Sequence, residues 1–92
     1  MRTYFVTVWA SFDVNVVAKS AERAEEKAID KSPFPYADYC EVEHVKNTRW
    51  YKVTVWASYE MEVDADSEEE AEEIAVFESP FPYADYCEID EV

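Results

Sequence analysis

Apolar and polar residues alternate along two stretches of the chain, residues 3–18 and 50–65. The even-numbered positions of the first stretch and the odd-numbered positions of the second are apolar. A period of two predicts β-strands with one buried face and one face in solvent. The parity never changes, so each stretch is either one long strand or a hairpin with an odd-numbered loop near Ser11 or Ser58. We expect the hairpin, because strands this long are uncommon.

A helical pattern follows each alternating stretch. Ser20 and Ser67 are favourable N-cap residues, and apolar residues then recur at helical spacing. Ser67 with Glu70 also matches the capping-box pattern. Each helix is predicted to end at a Ser-Pro pair, since the residue before proline avoids the helical conformation. The alternation that resumes at Cys40 and Cys87 predicts one more strand after each helix.

The second half of the chain repeats the first. Residues 32–41 return unchanged as residues 79–88, and the same offset of 47 aligns residues 2–45 with 49–92, with 27 of 44 pairs identical. We infer a tandem duplication of a β-β-α-β unit, with one copy in residues 1–46 and a strongly acidic copy in residues 47–92. The predicted fold is α+β. Two units would form a six-stranded, mainly antiparallel sheet with two helices on one face and a pseudo-twofold axis. The alternative is two separate three-stranded modules.

Charge is spread unevenly between the two copies. The net charge is −14, of which residues 1–45 carry −3 and residues 46–92 carry −11. Such a surface repels nucleic acid and acidic membranes, and it attracts basic protein surfaces. The chain shows no secretory signal pattern and no apolar run long enough for a membrane helix, so we expect a cytoplasmic protein.

Acidic residues form a dense tract at the start of the second copy. Nine of fourteen residues between Glu60 and Glu73 are acidic. Alternate strand residues lie roughly 6.6 Å apart, close to the contour spacing of successive phosphates in a nucleic-acid strand. The tract therefore predicts imitation of nucleic acid, while the alternative is a solvated face that serves solubility. The candidate partner-binding residues in this tract are Glu60, Glu62, Asp64, Asp66, Glu69, Glu70 and Glu73.

Aromatic residues supply the other candidate contacts. Trp9 and Trp56 lie on the polar phase of the first strand in each copy, and a tryptophan on a solvent-facing side favours an interface. The repeated proline-rich segment is stiff, which lowers the entropy cost of presenting aromatics to a partner. Its alternative role is packing over the end of the helix. The candidates from this segment are Phe34, Tyr36, Phe81 and Tyr83.

No pattern in the chain indicates catalysis or metal binding. The two cysteines, Cys40 and Cys87, are not in Cys-x-x-Cys spacing, His44 is the single histidine, and there is no glycine for a phosphate-binding loop. We therefore expect no metal, no cofactor and no enzymatic activity. A disulfide between the cysteines would require the last strands of the two copies to be neighbours.

Two resemblances bear on function. The run from Val53 through Ser67 to Ala75, an alternating stretch followed by a capped helix, resembles the small ββα modules of the DpnD/PcfM type found on mobile elements and phages. The small size, the acidity and the lack of catalytic residues resemble phage-encoded inhibitors of host defence, such as anti-restriction and anti-CRISPR proteins. These resemblances imply an inhibitor of a basic, nucleic-acid-binding defence complex, acting in the host cytoplasm without contacting nucleic acid directly. The alternative is a structural module that self-associates through its aromatic faces, for example as a homodimer.

Overall fold

Four strands and two helices follow one another in the order β-α-β-β-α-β. The computed structural model describes all residues from Met1 to Val92. The elements are β1 (Arg2–Val17), α1 (Ala21–Lys31), β2 (Tyr39–His44), β3 (Trp50–Ala65), α2 (Glu68–Glu78) and β4 (Tyr86–Glu91). The four strands form an antiparallel sheet in the order β2-β3-β1-β4, which is the split β-α-β arrangement. The predicted α+β class and antiparallel sheet are confirmed.

Each long alternating stretch is a single strand. Both β1 and β3 run for 16 residues without a turn, so the expected hairpins are wrong, and with them the β-β-α-β unit and the six-stranded sheet. The reason lies in the unbroken parity, which keeps the apolar residues of β1 on one side from Tyr4 to Val16, buried except for the partly exposed Phe12 and Val14. The chain also has no glycine to make a tight turn near Ser11 or Ser58. The unbroken alternation therefore indicates the structure of these stretches better than the usual length of strands does.

The chain forms two compact units whose boundaries fall inside the long strands. One, the acidic unit, consists of Met1–Ala10 and Ser58–Val92, and the other, the balanced unit, is Ser11–Ala57. Each unit therefore contains one half of β1 and one half of β3. The acidic unit carries fourteen acidic and one basic side chain, net −13, and the balanced unit eight and seven, net −1. The units thus separate charge more completely than the two sequence copies do.

In the acidic unit, α2 covers one face of the strands. Its alanines Ala71 and Ala75 are fully buried, and their small side chains let the helix lie close to the sheet. Strand β4 pairs with the first half of β1, from Tyr4 opposite Glu91 to Trp9 opposite Tyr86. The core of this unit consists of Tyr4, Val6, Val8, Ala10, Val63, Ala65, Ala71, Ala75 and Phe81.

The balanced unit repeats this construction. Ala24 and Ala28 of α1 are fully buried, and β2 pairs with the first half of β3, from Tyr39 opposite Trp56 to His44 opposite Tyr51. The β2–β3 connection contains Asn47 at φ 64°. Asparagine tolerates this left-handed conformation better than most residues, which suits a chain without glycine.

The predicted helix boundaries are confirmed. The hydroxyl oxygens of Ser20 and Ser67 accept hydrogen bonds from the backbone N–H three residues later, which satisfies one otherwise unpaired donor in each helix. Ser32 and Ser79 follow the last helical residues, and their N–H groups bond back to the helices. In the second helix the Glu70 carboxylate accepts from the N–H of Asp66 at 3.4 Å, one residue before the position that a capping box predicts.

Candidate protein-binding surface

The strand acids of the acidic unit project from the face that α2 does not cover. Along β3, Glu60, Glu62 and Asp64 are exposed, whereas Val63 and Ala65 are buried on the side of the helix. This alternation follows from the strand period of two. The row of strand carboxylates predicted from the sequence is therefore present on one open face for Glu60, Glu62 and Asp64, whereas Asp66 lies beyond the end of β3.

Strand β4 adds two carboxylates to the same face. In its register with β1, Glu88 lies opposite Thr7 and Asp90 lies opposite Phe5, and both acids are exposed. Neither acid is among the contacts predicted from the sequence, although their alternation with Cys87 and Ile89 places them on the exposed side of the strand. We call the resulting surface the open acidic face. Its residues are Phe5, Thr7, Trp9, Glu60, Glu62, Asp64, Tyr86, Glu88 and Asp90.

Trp9 stands among the carboxylates of this face. Its ring stacks with that of Tyr86 at 6.3 Å between centroids and 19° between planes. Its indole N–H donates to Glu88 Oε1 at 2.7 Å. The stacking and the hydrogen bond together fix the positions of both the Trp9 ring and the Glu88 carboxylate.

Trp56 has the same surroundings in the balanced unit. It stacks with Tyr39 at 6.2 Å and 17°, and its indole N–H donates to Glu41 Oε1 at 2.8 Å. From sequence we expected Trp56 to accompany the acids of its own copy. The structure instead places those acids with Trp9 in the acidic unit and leaves Trp56 in the unit of almost neutral charge.

Few cations neutralise the acidic unit. Its one basic side chain, Arg2, forms an exposed ion pair with Glu91 at 3.7 Å, and exposed pairs of this kind contribute little. The Thr3 hydroxyl donates to Asp64 Oδ1 at 2.7 Å, which orients the carboxylate without removing its charge. The open acidic face therefore keeps a strongly negative field.

The helical part of the acidic tract forms a different surface. Glu69, Glu70 and Glu73 are exposed on α2, the layer that covers the opposite face of the sheet. Asp66 lies in the connection before the helix, where its N–H bonds to Glu70. The single acidic surface predicted from sequence is thus divided between the open face and the helix.

The aromatics of the repeated segment are placed differently from one another. Phe34 and Phe81 are each only 8% exposed and belong to the core, so they offer no surface to a partner in this structure. Tyr36 and Tyr83 are 40% and 41% exposed. The alternative role considered for this segment was packing of its aromatics over the end of the helix, and the burial of the two phenylalanines favours a packing role for them.

Both cysteines are free thiols on the half-buried side of their strands. Their strands, β2 and β4, are not neighbours in the sheet order, so the condition for the disulfide is not met. Burial raises the pKa of the Cys40 thiol, and the charge of Glu25 raises it further. The pKa of the Cys87 thiol is raised in the same way, first by burial and then by the charge of Glu72. No group of three or more His, Cys, Asp or Glu side chains is placed to hold a metal ion.

Alkylation of either thiol is expected to titrate above the pKa of an ordinary exposed thiol, because burial raises both values. Because the fold favours the neutral thiol, each thiol also makes stability depend on pH. Its contribution to the free energy of unfolding is complete below the pKa of the unfolded thiol and is lost as the pH rises through the pKa of the folded thiol. The check is the pH dependence of iodoacetamide reaction on single-cysteine variants. Glu72→Gln should lower the midpoint pH of the Cys87 reaction. Glu73→Gln, the neighbouring control, should leave that midpoint unchanged. A midpoint in the native protein at or below that of the denatured protein would contradict the burial argument.

Neither helix has the length and hydropathy needed to cross a bilayer. Comparison of the chain with protein-family models, curated proteins and solved structures finds no match.

Proposed function

We propose that this protein is a non-enzymatic inhibitor that docks through its open acidic face onto a basic, nucleic-acid-binding surface of a host defence complex. The observation that carries the proposal is the composition of this face, which displays five carboxylates from β3 and β4 in a unit of net charge −13. Such a surface attracts a basic groove and repels nucleic acid. The inhibitor would occupy the groove in place of DNA or RNA, in the cytoplasm of the host cell.

The geometry of the face supports imitation of a nucleic-acid strand. Glu60, Glu62 and Asp64 follow one another at two strand rises, roughly 6.6 Å, on the exposed side of β3. Lysine and arginine side chains that bind successive phosphates would find carboxylates at a similar pitch. Charge-assisted hydrogen bonds of this kind are among the strongest that side chains form.

Trp9 supplies the apolar contact that a purely acidic surface lacks. It lies within the open acidic face, is half-buried, and is held by Tyr86 and Glu88. Tryptophan is enriched among residues that dominate binding energy, particularly where surrounding polar groups exclude water. A basic partner would meet both an electrostatic and an aromatic determinant here.

The same proposal includes an origin by tandem duplication. Its support is the set of 27 identical pairs at an offset of 47 and the matched Trp-Tyr-Glu contacts of the two units. A pseudo-twofold relation between the copies stays a prediction. In this view one copy acquired charge while the tryptophan contacts were kept.

A competition experiment tests the docking proposal. We expect a complex captured by the immobilised protein to be displaced by duplex DNA and to be blocked from binding nucleic acid while captured. A triple variant with Glu60→Gln, Glu62→Gln and Asp64→Asn should reduce capture roughly tenfold or more. Capture should also fall steeply between roughly 50 and 200 mM salt.

The control changes the same number of charges on α2, through Glu69→Gln, Glu73→Gln and Glu78→Gln. These residues are exposed on the other layer, so capture should stay within about twofold of the native protein. Equal losses in both triple variants would show that net charge, not the open face, determines binding. Capture that DNA does not displace would rule out imitation of nucleic acid.

One observation favours self-association as the second candidate function. Phe77, near the end of α2, is 88% exposed, and its counterpart in the first copy is Asp30. An exposed phenylalanine gained in one copy is typical of a contact surface. Light scattering over a range of concentrations distinguishes the candidates, because a strict monomer excludes assembly while leaving the docking proposal intact.

A further inference from the structure

A basic cleft lies in the balanced unit, bordered by the β1–α1 connection and the β2–β3 connection. Its volume is about 320 Å³, and it is lined by Ala18, Lys19, His44, Thr48, Arg49 and Tyr51. We propose that this cleft binds a small phosphate-bearing anion, either inorganic phosphate or a low-molecular-weight phosphate monoester. The site lies outside the open acidic face and is independent of the docking function.

Hydrogen bonds and ring stacking fix the walls of the cleft. The N–H of Ala18 donates to the carbonyl of Arg49 at 3.0 Å, which joins the end of β1 to the start of β3. The His44 ring stacks on Tyr51 at 4.6 Å between centroids, and its Nε2 lies 2.6 Å from the carbonyl oxygen of Thr48. Because a carbonyl only accepts, Nε2 must carry the hydrogen of this bond.

The cations of the cleft are not neutralised within the protein. Neither Lys19 nor Arg49 takes part in an ion pair, and the pair in the structure, Arg2 with Glu91, is in the acidic unit. The basic character continues into α1: Lys19, which precedes the N-cap Ser20, and the helix residues Arg23 and Lys27 line an adjoining cavity of about 210 Å³. Arg23 and Lys27 are four residues apart and share one side of the helix, so they add positive charge beside the cleft.

The chemistry of these groups selects a small dianion. Arginine and lysine donate charge-assisted hydrogen bonds to phosphate oxygens, and Tyr51 offers a further hydroxyl donor. A nucleic acid or another polyanion would also meet the eight acidic side chains of the balanced unit, which repel it. A compact phosphate group fits the cleft without meeting that repulsion.

The acidic unit provides a natural comparison. At the offset of 47, Lys19 corresponds to Asp66 and His44 to Glu91, while Arg49 corresponds to Arg2. There the arginine is already paired with Glu91 at 3.7 Å, so the equivalent position is neutralised from within. The two copies therefore differ in charge at the residues that would decide anion binding.

The test is an NMR titration of the ¹⁵N-labelled full chain at constant ionic strength, with inorganic phosphate and phosphoserine as separate ligands. We expect saturable shifts of the Lys19, His44 and Arg49 amides with one bound ligand per chain. Lys19→Asp introduces the residue of the other copy and should raise the dissociation constant about tenfold or more. Lys31→Glu, also borrowed from the other copy and equal in charge change, lies outside the cleft and should change it less than about threefold.

The reciprocal change gives a second readout. Asp66→Lys with Glu91→His should give the acidic unit the residues of the cleft, release Arg2 from its ion pair, and raise the stoichiometry from one ligand to two. Tighter binding of phosphoserine than of phosphate identifies a monoester as the ligand class, and the reverse identifies free phosphate. The proposal is overturned if neither ligand saturates, or if Lys19→Asp and Lys31→Glu weaken binding equally.

Discussion

Residues 1–46 and 47–92, expressed separately, are expected to have no folded monomeric form. In the intact chain β2 pairs with β3 and β4 pairs with β1, so the short strand of each copy has its partner in the other copy. A separated copy keeps its helix but loses the strand between its own two strands. Because a chain of this length is already marginal in the surface it can bury, we expect the loss of all cooperative unfolding.

Circular dichroism and thermal melting of the fragments check this prediction. Each fragment alone at low concentration should lack a melting transition, and an equimolar mixture should recover one. Fragment 47–92 carries net charge −12 against −2 for fragment 1–46, so self-repulsion should make the mixed pair more stable than pairs of 47–92.

The control fragment is residues 11–57, the whole of the balanced unit. It contains β2 together with its β3 partner, so any residual structure should appear there first. A concentration-independent melting transition in fragment 1–46 or 47–92 would instead support the repeat-based domains at those boundaries. The experiment thus distinguishes sequence copies from compact units as the unit of folding.

Replacing Trp9 by alanine is expected to weaken partner binding much more than replacing Trp56. The two tryptophans make matched contacts, each with a stacked tyrosine and a glutamate carboxylate. Their loss should therefore lower the free energy of unfolding by similar amounts, about 2 kcal/mol each. Only Trp9 lies in the acidic unit, so Trp9→Ala should weaken binding by about 2 kcal/mol or more, roughly 30-fold.

The measurement is titration calorimetry with the captured complex, alongside denaturant unfolding of each variant. Trp56→Ala serves as the control and should bind within about threefold of the native protein. Trp9→Phe keeps an aromatic ring but removes the hydrogen bond to Glu88, so it separates the packing contribution from the positioning of the carboxylate. Equal weakening by Trp9→Ala and Trp56→Ala would contradict the assignment of the open acidic face as the docking surface.

Several local features of this protein follow directly from the sequence. Period-two alternation correctly predicted strands with one buried side, and Ser20 and Ser67 correctly marked the beginnings of the helices. Alternation also placed Glu60, Glu62 and Asp64 on one exposed side of a strand. These features depend on a few neighbouring residues, because strand period and N-capping are local properties.

The prediction of hairpins was wrong for a non-local reason. Sequence alternation specifies which side of a strand is buried, but it does not specify which strand lies beside it. Strand length is decided by such partners: β4 pairs along Tyr4–Trp9, and the N–H of Ala18, just beyond the end of β1, bonds to Arg49. Partners of this kind sustain a strand beyond its usual length.

The sequence by itself determined the strand faces, the helix ends and the row of acids on β3, and it shows the repeat of residues 2–45 in residues 49–92. Only the tertiary structure decided that each compact unit takes strands from both copies. It thereby brought Trp9 together with the acids of the second copy, buried Phe34 and Phe81, and left Lys19 and Arg49 without acidic partners. The physical reason is that strand pairing joins residues far apart in the chain, and burial and charge balance depend on that pairing rather than on sequence neighbours.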